Sequence, residues 1–448
     1  MAYNHPVTGT GANWQLNNLH TAMDRNSAGE PIIRVGAGGT PGVNTVEISA
    51  GGVGGDAFGR LRVSQPFTLF DSSHRFSDND LWATSNTALT SVEFIQSEGL
   101  VNLTVPTTTG TNVLRETKKV FAYQPGKSLL VMNTFAMAPA QTNLTQRVGY
   151  FGTANGMYVQ LQDSTVSFVE RSSVSGSMTE TVVNQDSWNI DKMDGTGPSG
   201  ITLDISKAQI LWSDIEWLGL GTVRMGFVIN GKLVPCHSFH HANLITSTYI
   251  TTASLPLRYE IVNDGGITSP ATLKQVCSTV ISEGGIGLSG RQQAVGVPIT
   301  APRDLADKGV FYPIVSIRLK TTPNRLDAIV IPTAASIMGV GNGINFKWRL
   351  MAGGTVTGDT WLSAGDNSAV EYNITGTAYS GGRILASGYL NSSNQGSPTT
   401  DILKEALFKF QLERNTFTNT PEVFVLAVTA ATDDEQMYGS LDWEEVTR

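Results

Sequence analysis

Short apolar runs of four to eight residues recur along the chain, and most of them alternate with polar positions at a period of two. Leu100-Val-Asn-Leu-Thr-Val105, Gly156-Met-Tyr-Val-Gln-Leu161 and Ser167-Phe-Val-Glu-Arg171 are representative. Each is rich in β-branched or aromatic residues and is bounded by Gly, Pro or Asn, which predicts strands joined by turns. The runs 92–95, 115–123, 128–135 and 147–152 continue the pattern, so residues 58 to 290 read as a central β-sandwich or jelly-roll-like domain. At 280–290 the texture changes to Val-Ile-Ser-Glu-Gly-Gly-Ile-Gly-Leu-Ser-Gly, whose glycines mark a connection. New runs at 312–320, 326–331, 344–350, 369–374, 383–390 and 422–429 predict a second, sandwich-like β domain over 291–448. Both a helical and a strand period can be drawn through 401–414, so that stretch stays open.

The first 57 residues differ. Glycines cluster in 36–42 and 50–55, Pro41 interrupts any long ladder, and large apolar residues are sparse, so no separate core is expected there. An extended amino-terminal assembly arm is the better reading, with 31–35 and 43–48 as strands that would add to a neighbouring molecule. The fold class is therefore all-β, with arm, central sandwich and C-terminal β domain in that order.

Composition agrees with this reading. The 448 residues include 47 Gly and 18 Pro and are only 15% charged. No collagen triplet, heptad or short fixed repeat supports a repetitive shaft. Thirty Lys plus Arg against 38 Asp plus Glu leave a net charge of -8, which offers no electrostatic ground for nucleic-acid binding. Cys236 and Cys277 lie far apart in sequence and form no CxxC unit, which favours two reduced thiols in a cytosolically made protein. The first residues lack a basic segment followed by an apolar run, and no stretch of 18 apolar residues follows, so neither secretion nor membrane insertion is expected.

Three groups of residues invite chemistry. Cys236, His237, His240 and His241 are metal-ligand types. In a strand, however, His237 and His241 would be about 13 Å apart at ~3.3 Å per residue, too far for one ion without a bend. Polar packing around Phe239 is expected instead, with no metal. Asp186, Asp191, Asp194, Asp204, Asp214 and Glu216 sit among Gly and Asn, where turn and cap roles are expected; glycosidase chemistry would need two opposed carboxylates. Trp188, Trp212 and Trp217 are expected to pack in the core or at a subunit interface, although exposed indoles also stack on sugars. Arg224 and Arg258 would pair with acidic groups near those strands. No GxxxxGK[ST] loop occurs. Catalytic, cofactor-binding and metal residues are all expected to be absent.

The segment 188–204, Trp-Asn-Ile-Asp-Lys-Met-Asp-Gly-Thr-Gly-Pro-Ser-Gly-Ile-Thr-Leu-Asp, together with 208–217, 219–231, 236–243 and 255–261, resembles a family of virion structural proteins of tailed bacteriophages. The strand series 147–171 also resembles the sandwich of lectin-like modules. What the virion resemblance implies is a noncatalytic structural component of the tail, baseplate or fibre apparatus, assembled in the host cytoplasm and carried in the virion. It also implies contact with other virion proteins and a homo-oligomer, preferably a trimer. A head-associated collar or decorating-fibre protein and a host-glycan-binding receptor module are the alternatives; a glycan-cleaving enzyme is a weaker third class. No cofactor, nucleic acid or membrane enters this expectation.

Overall fold

A computed structural model of the protein describes residues 65–285, 287, 290–358, 360–393 and 410–447, and the backbone of three short strands before them. The chain divides into two units, Met1–Gln65 and Pro66–Arg448. In the first unit Pro31–Val35 pairs antiparallel with both Met23–Arg25 and Val46–Ser49. The two runs expected to join a neighbour therefore satisfy part of their backbone on each other, because antiparallel strands need only a short connection to meet. The glycine clusters of the expected arm, at 36–42 and 50–55, lie outside the described residues.

The second unit is built from antiparallel sheets, and its helical content among the described residues is the 3-10 turn Gln185–Ser187. No described helix is long and apolar enough to cross a membrane. One sheet of the first sandwich has seven strands in the order Thr179–Asn184, Thr165–Ser172, Gly156–Gln162, Leu144–Phe151, Leu257–Asn263, Thr111–Thr117, Trp82–Asn86. The facing sheet runs Lys232–Phe239, Val223–Ile229, Gln209–Ile215, Leu129–Ala136, Ala271–Ser282, Leu100–Val105, Ser91–Ile95, and Phe67–Ser73 shares an edge of Ala271–Ser282. Period-two alternation sends Val131, Phe135, Leu211, Ile215, Val223, Met225 and Phe227 inward from this sheet, to meet Val148, Tyr150, Met157, Val159, Phe168 and Tyr259 from the other. Each such side chain, fully buried, contributes roughly 1.5–3 kcal/mol. The two buried tyrosines keep their hydroxyls bonded: Tyr150 donates to Ala253 O at 2.7 Å, and Tyr259 lies 2.9 Å from Ser278 Oγ.

A second sandwich follows. Its six-stranded sheet runs Leu362–Ser363, Val370–Asn373, Tyr312–Leu319, Phe424–Ala430, Asn345–Ala352, Arg383–Asn391. Opposite it the long strand Glu435–Thr447 pairs with Arg291–Gly296 and Arg303–Leu305 on one side and Ile329–Gly339 on the other. Leu305, Leu319, Val330, Leu350, Phe424, Leu441 and Trp443 fill the space between. Of the ambiguous stretch 401–414, residues 401–409 lie outside the described residues; Arg414–Asn415 is a short strand paired with Thr420–Pro421.

The two sandwiches share a seam. Val120 and Ala122 of the first pack on Ile329 and Ile331 of the second. Beside them the buried Arg414 guanidinium lies 3.0 Å from Glu116, 3.1 Å from Asp327 and donates to Thr117 O at 2.6 Å. Lys118 pairs with Glu422 at 2.9 Å, and Arg383 with Glu413 at 2.7 Å. The buried Arg414 and Glu116 are tolerated because each faces the opposite charge across the seam; the half-buried Lys118–Glu422 pair also crosses it, while Arg383 and Glu413 both belong to the second sandwich.

Candidate functional site

The outer face of the eight-stranded sheet carries two adjoining recesses of about 370 and 440 Å³. Both are lined by Ser128, Asp214 and Arg224. The sheet register builds them. Asp214 lies opposite Arg224 on one side and Leu130 on the other; two residues back, Trp212 lies opposite Gly226 and Met132. Residues two apart on a strand share a face, so these cross-strand rows point the same way, away from the core. Asp214, half-buried, holds the exposed Arg224 in an ion pair across the strands. Glu216 follows at the turn that joins the two strands, its N–H donating to Thr222 O at 3.1 Å.

Trp212 forms the inner wall of the first recess and is 5% exposed. Gly226 makes room for it: a side chain there would run into Val234 O and stand 3.0 Å from Trp212 Nε1. A ladder irregularity at the same point pairs Met225 with His237 but Gly226 with Pro235. Cys236 is thereby the extra residue of a β-bulge, and Pro235, which has no N–H to give, sits where the ladder is interrupted. The Trp212 indole N–H is buried and has no acceptor. Trp188 Nε1 reaches Val183 O at 3.2 Å and Trp217 Nε1 reaches Ile250 O at 3.3 Å, so Trp212 is the exception among the three. A buried donor without a partner costs about 1–3 kcal/mol. Exposed Leu233 and Pro235 flank it, and Lys127 and Glu283 complete the rim.

The remaining candidate residues go elsewhere. Asp194 accepts from Thr196 N–H at 2.8 Å and Asp204 from Ser206 N–H at 3.1 Å, and those local bonds lower both carboxyls. Asp191 is buried and, against its desolvation, is lowered by bonds from Met193 and Ser199. Asp186 bonds Ser187 on the surface. Trp188 stacks on Phe168 at 4.3 Å in the core, and Trp217 meets Tyr123 edge-on at 5.8 Å. Arg258 lies 2.7 Å from Glu260 and 3.6 Å from Glu116, close to the seam.

Cys236, His237, His240 and His241 separate into distinct environments. Cys236 is in the core, 3.2 Å from Met193 Sδ, and burial pushes its thiol up to about 12. His237 accepts from Asn189 N–H at 3.2 Å and packs edge-on to Phe239 at 4.6 Å; burial, then the neighbouring His240, lowers it to about 4. His240 is exposed, 3.4 Å from Thr222 Oγ1. His241 is stacked flat on Tyr249 at 3.9 Å with Nε2 2.9 Å from Glu170; burial works against its charge, and bonds to Glu170 and Gly221 O raise it on balance. Among the described residues no three His, Cys, Asp or Glu side chains converge for a metal ion.

Sequence reasoning singled out Trp212, Asp214, Glu216 and Arg224 separately, and the sheet brings them together. It did not single out Gly226, Leu130, Lys127, Leu233 or Pro235. One signal was available: a glycine inside the apolar run Val-Arg-Met-Gly-Phe-Val-Ile marks a bulge or a close approach.

No family model matches the chain, and no curated protein matches it. Solved structures similar to it include a β-glucanase of Bacillus licheniformis, at 12% identity over 47% of this chain and 96% of that one, with a TM-score of 0.32. The carbohydrate recognition domain of Emp47p is 11% identical over 52% and 100%, with a TM-score of 0.31. A carbohydrate esterase of the Shiga toxin-encoding bacteriophage phi24B is 13% identical over 49% and 99%, with a TM-score of 0.29. The expectation of a chain without catalytic activity is corrected at this point. The solved structures similar to it include a β-glucanase and a carbohydrate esterase, and a β-sandwich fold by itself does not exclude catalysis.

Proposed function

We propose that this chain is a component of a tailed-bacteriophage particle, in its tail, baseplate or fibre apparatus, and that it contacts host-surface carbohydrate through the Trp212 recess. The particle role rests on the resemblance carried by 188–261. The carbohydrate role rests on one observation: two adjoining recesses on the outer sheet face, one walled by Trp212, Leu130 and Leu233 and both by the Asp214–Arg224 pair, with Glu216 at the rim of the second. The apolar C–H face of a sugar covers Leu130 and Leu233 beside the Trp212 wall, and its hydroxyls meet the carboxylates and the guanidinium. Copies assemble as a homo-oligomer, with three the expected number, which multiplies a weak single-site affinity.

Calorimetry with envelope polysaccharide extracted from the host tests the site. Wild type is expected to bind saturably, and Trp212→Phe and Arg224→Ala at least tenfold more weakly. Trp212→Phe should fold with unchanged or slightly raised stability, since it removes an unsatisfied donor and keeps most of the volume. Equal binding by all three proteins refutes the carbohydrate role. Antibody labelling of purified particles in negative stain tests the particle role separately, and particles that carry no label refute it.

A further inference from the structure

A third recess lies at the seam between the two sandwiches, away from Trp212. It has a volume of about 280 Å³, is open to solvent on one side, and is lined chiefly by Phe67, Leu69, Phe70, Phe121, Ile329 and Phe410. Both sandwiches contribute walls, so the recess exists only because they are joined.

Among the described residues, its one cationic wall residue is Lys119. The backbone fixes that position. Thr117 Oγ1 donates to Lys119 O at 2.8 Å, and Phe121 N–H donates to Leu255 O at 3.1 Å, so the segment after Thr111–Thr117 is held at both ends. The ammonium stands 5.6 Å from the Phe70 ring centre and 5.9 Å from that of Phe121. Among the described residues it has neither a hydrogen-bond acceptor nor an ion-pair partner. Glu413 acts on it through space but holds Arg383 at 2.7 Å, and Asp71, also on the recess wall, is exposed. Burial is the largest influence on the Lys119 pKa and lowers it; Glu413 and Asp71 oppose this through space, Arg383 adds to it, and the balance is downward.

We infer that this recess binds a small apolar carboxylic acid, its hydrocarbon part among Phe70, Phe121, Ile329 and Phe410 and its carboxylate on Lys119 Nζ. Charge selects the head group: a carboxylate is the complement the ammonium lacks, an alcohol offers only a neutral acceptor, and an ammonium amphiphile is repelled. Volume sets the size. The open recess of about 280 Å³ has room for a short hydrocarbon chain, for which roughly eight carbons is a suitable probe length.

The test uses the full chain and three probes of equal length: octanoate, octanol and octylammonium. Octanoate is expected to saturate one site per chain and to raise the melting temperature, octanol to bind at least tenfold more weakly, and octylammonium not to bind. Lys119→Met should bring octanoate down to the level of octanol, while Lys119→Arg keeps the preference. Ile331→Trp, which fills the recess and leaves the cation in place, should abolish octanoate binding even if Lys119→Met fails to fold. Trp212→Phe should leave octanoate binding unchanged, which separates this site from the carbohydrate recess. The inference is overturned if octanol matches octanoate on wild type, or if Lys119→Met or Ile331→Trp binds octanoate as wild type does.

Discussion

Arg414→Met is the sharpest perturbation of the seam. Arg414 is 1% exposed and divides its guanidinium among Glu116, Asp327 and Thr117 O. Asp327 is 59% exposed, so its share is screened and small. Glu116 is 1% exposed and cannot recover water. Burial raises its pKa, Arg414 is the strongest group holding it down, and Arg258 at 3.6 Å is the next. Methionine fills the space of the aliphatic stem and leaves that carboxylate short of its principal counter-charge. Breaking a buried pair on one side costs about 3–5 kcal/mol. Protonation of Glu116 relieves part of that cost, which places the expected loss near the lower bound, about 3 kcal/mol at pH 8. The sign with pH follows: a carboxyl whose folded pKa is raised favours the folded state at pH values below its unfolded pKa, and that advantage disappears as pH rises through the folded value. The loss in Arg414→Met should therefore be smaller at pH 5 than at pH 8. Guanidinium unfolding followed by far-UV circular dichroism measures it at both values. Adding Glu116→Gln should return most of the stability, because the uncompensated charge is gone. A loss under about 1 kcal/mol at pH 8, or no recovery in the double variant, refutes this account of the seam.

Two further outcomes are expected. Gly226→Ala should cost about 1–3 kcal/mol, because the new methyl meets Val234 O and crowds Trp212 Nε1; tryptophan fluorescence should shift and polysaccharide binding should weaken with it. His74 and His237 are each lowered to about 4, mainly by burial. Their unfolded value is near 6.5, so the unfolded chain takes up their protons first and stability should fall as pH drops from about 6.5 toward 4; a melting series should show this slope, and His237→Gln should flatten it.

Much of the strand pattern was legible because period-two runs with Gly, Pro and Asn punctuation state both an element and its inward face. The runs 100–105, 156–161 and 167–171 became the strands Leu100–Val105, Gly156–Gln162 and Thr165–Ser172. Local polar roles were legible for the same reason, since Asp194 and Asp204 bond N–H groups only two residues away. The Trp212 recess was not. In Gln209–Ile215 the alternation separates Leu211, Ser213 and Ile215 from Ile210, Trp212 and Asp214, yet nothing local says what lies opposite the second set. That depends on the register with Leu129–Ala136 and Val223–Ile229, and on a bulge at Cys236. Lys119 was hidden for a similar reason: its surroundings come from Phe70, Ile329 and Phe410, residues far from it along the chain.

The strand Ala271–Ser282 sits inside its sheet, with Leu129–Ala136 along one edge and Leu100–Val105 and Phe67–Ser73 sharing the other. Thr68 and Ile281 are ladder partners, so this closure joins segments more than 200 residues apart along the chain. Bringing two such distant segments together costs roughly 2–3 kcal/mol more entropy than closing a ten-residue hairpin. Until residue 282 has left the ribosome, the strands on either side have open edges and an uncovered apolar face. Folding of this sandwich is therefore expected to follow synthesis of nearly the whole domain and to be slow, so lower temperature or a holding chaperone should raise the yield.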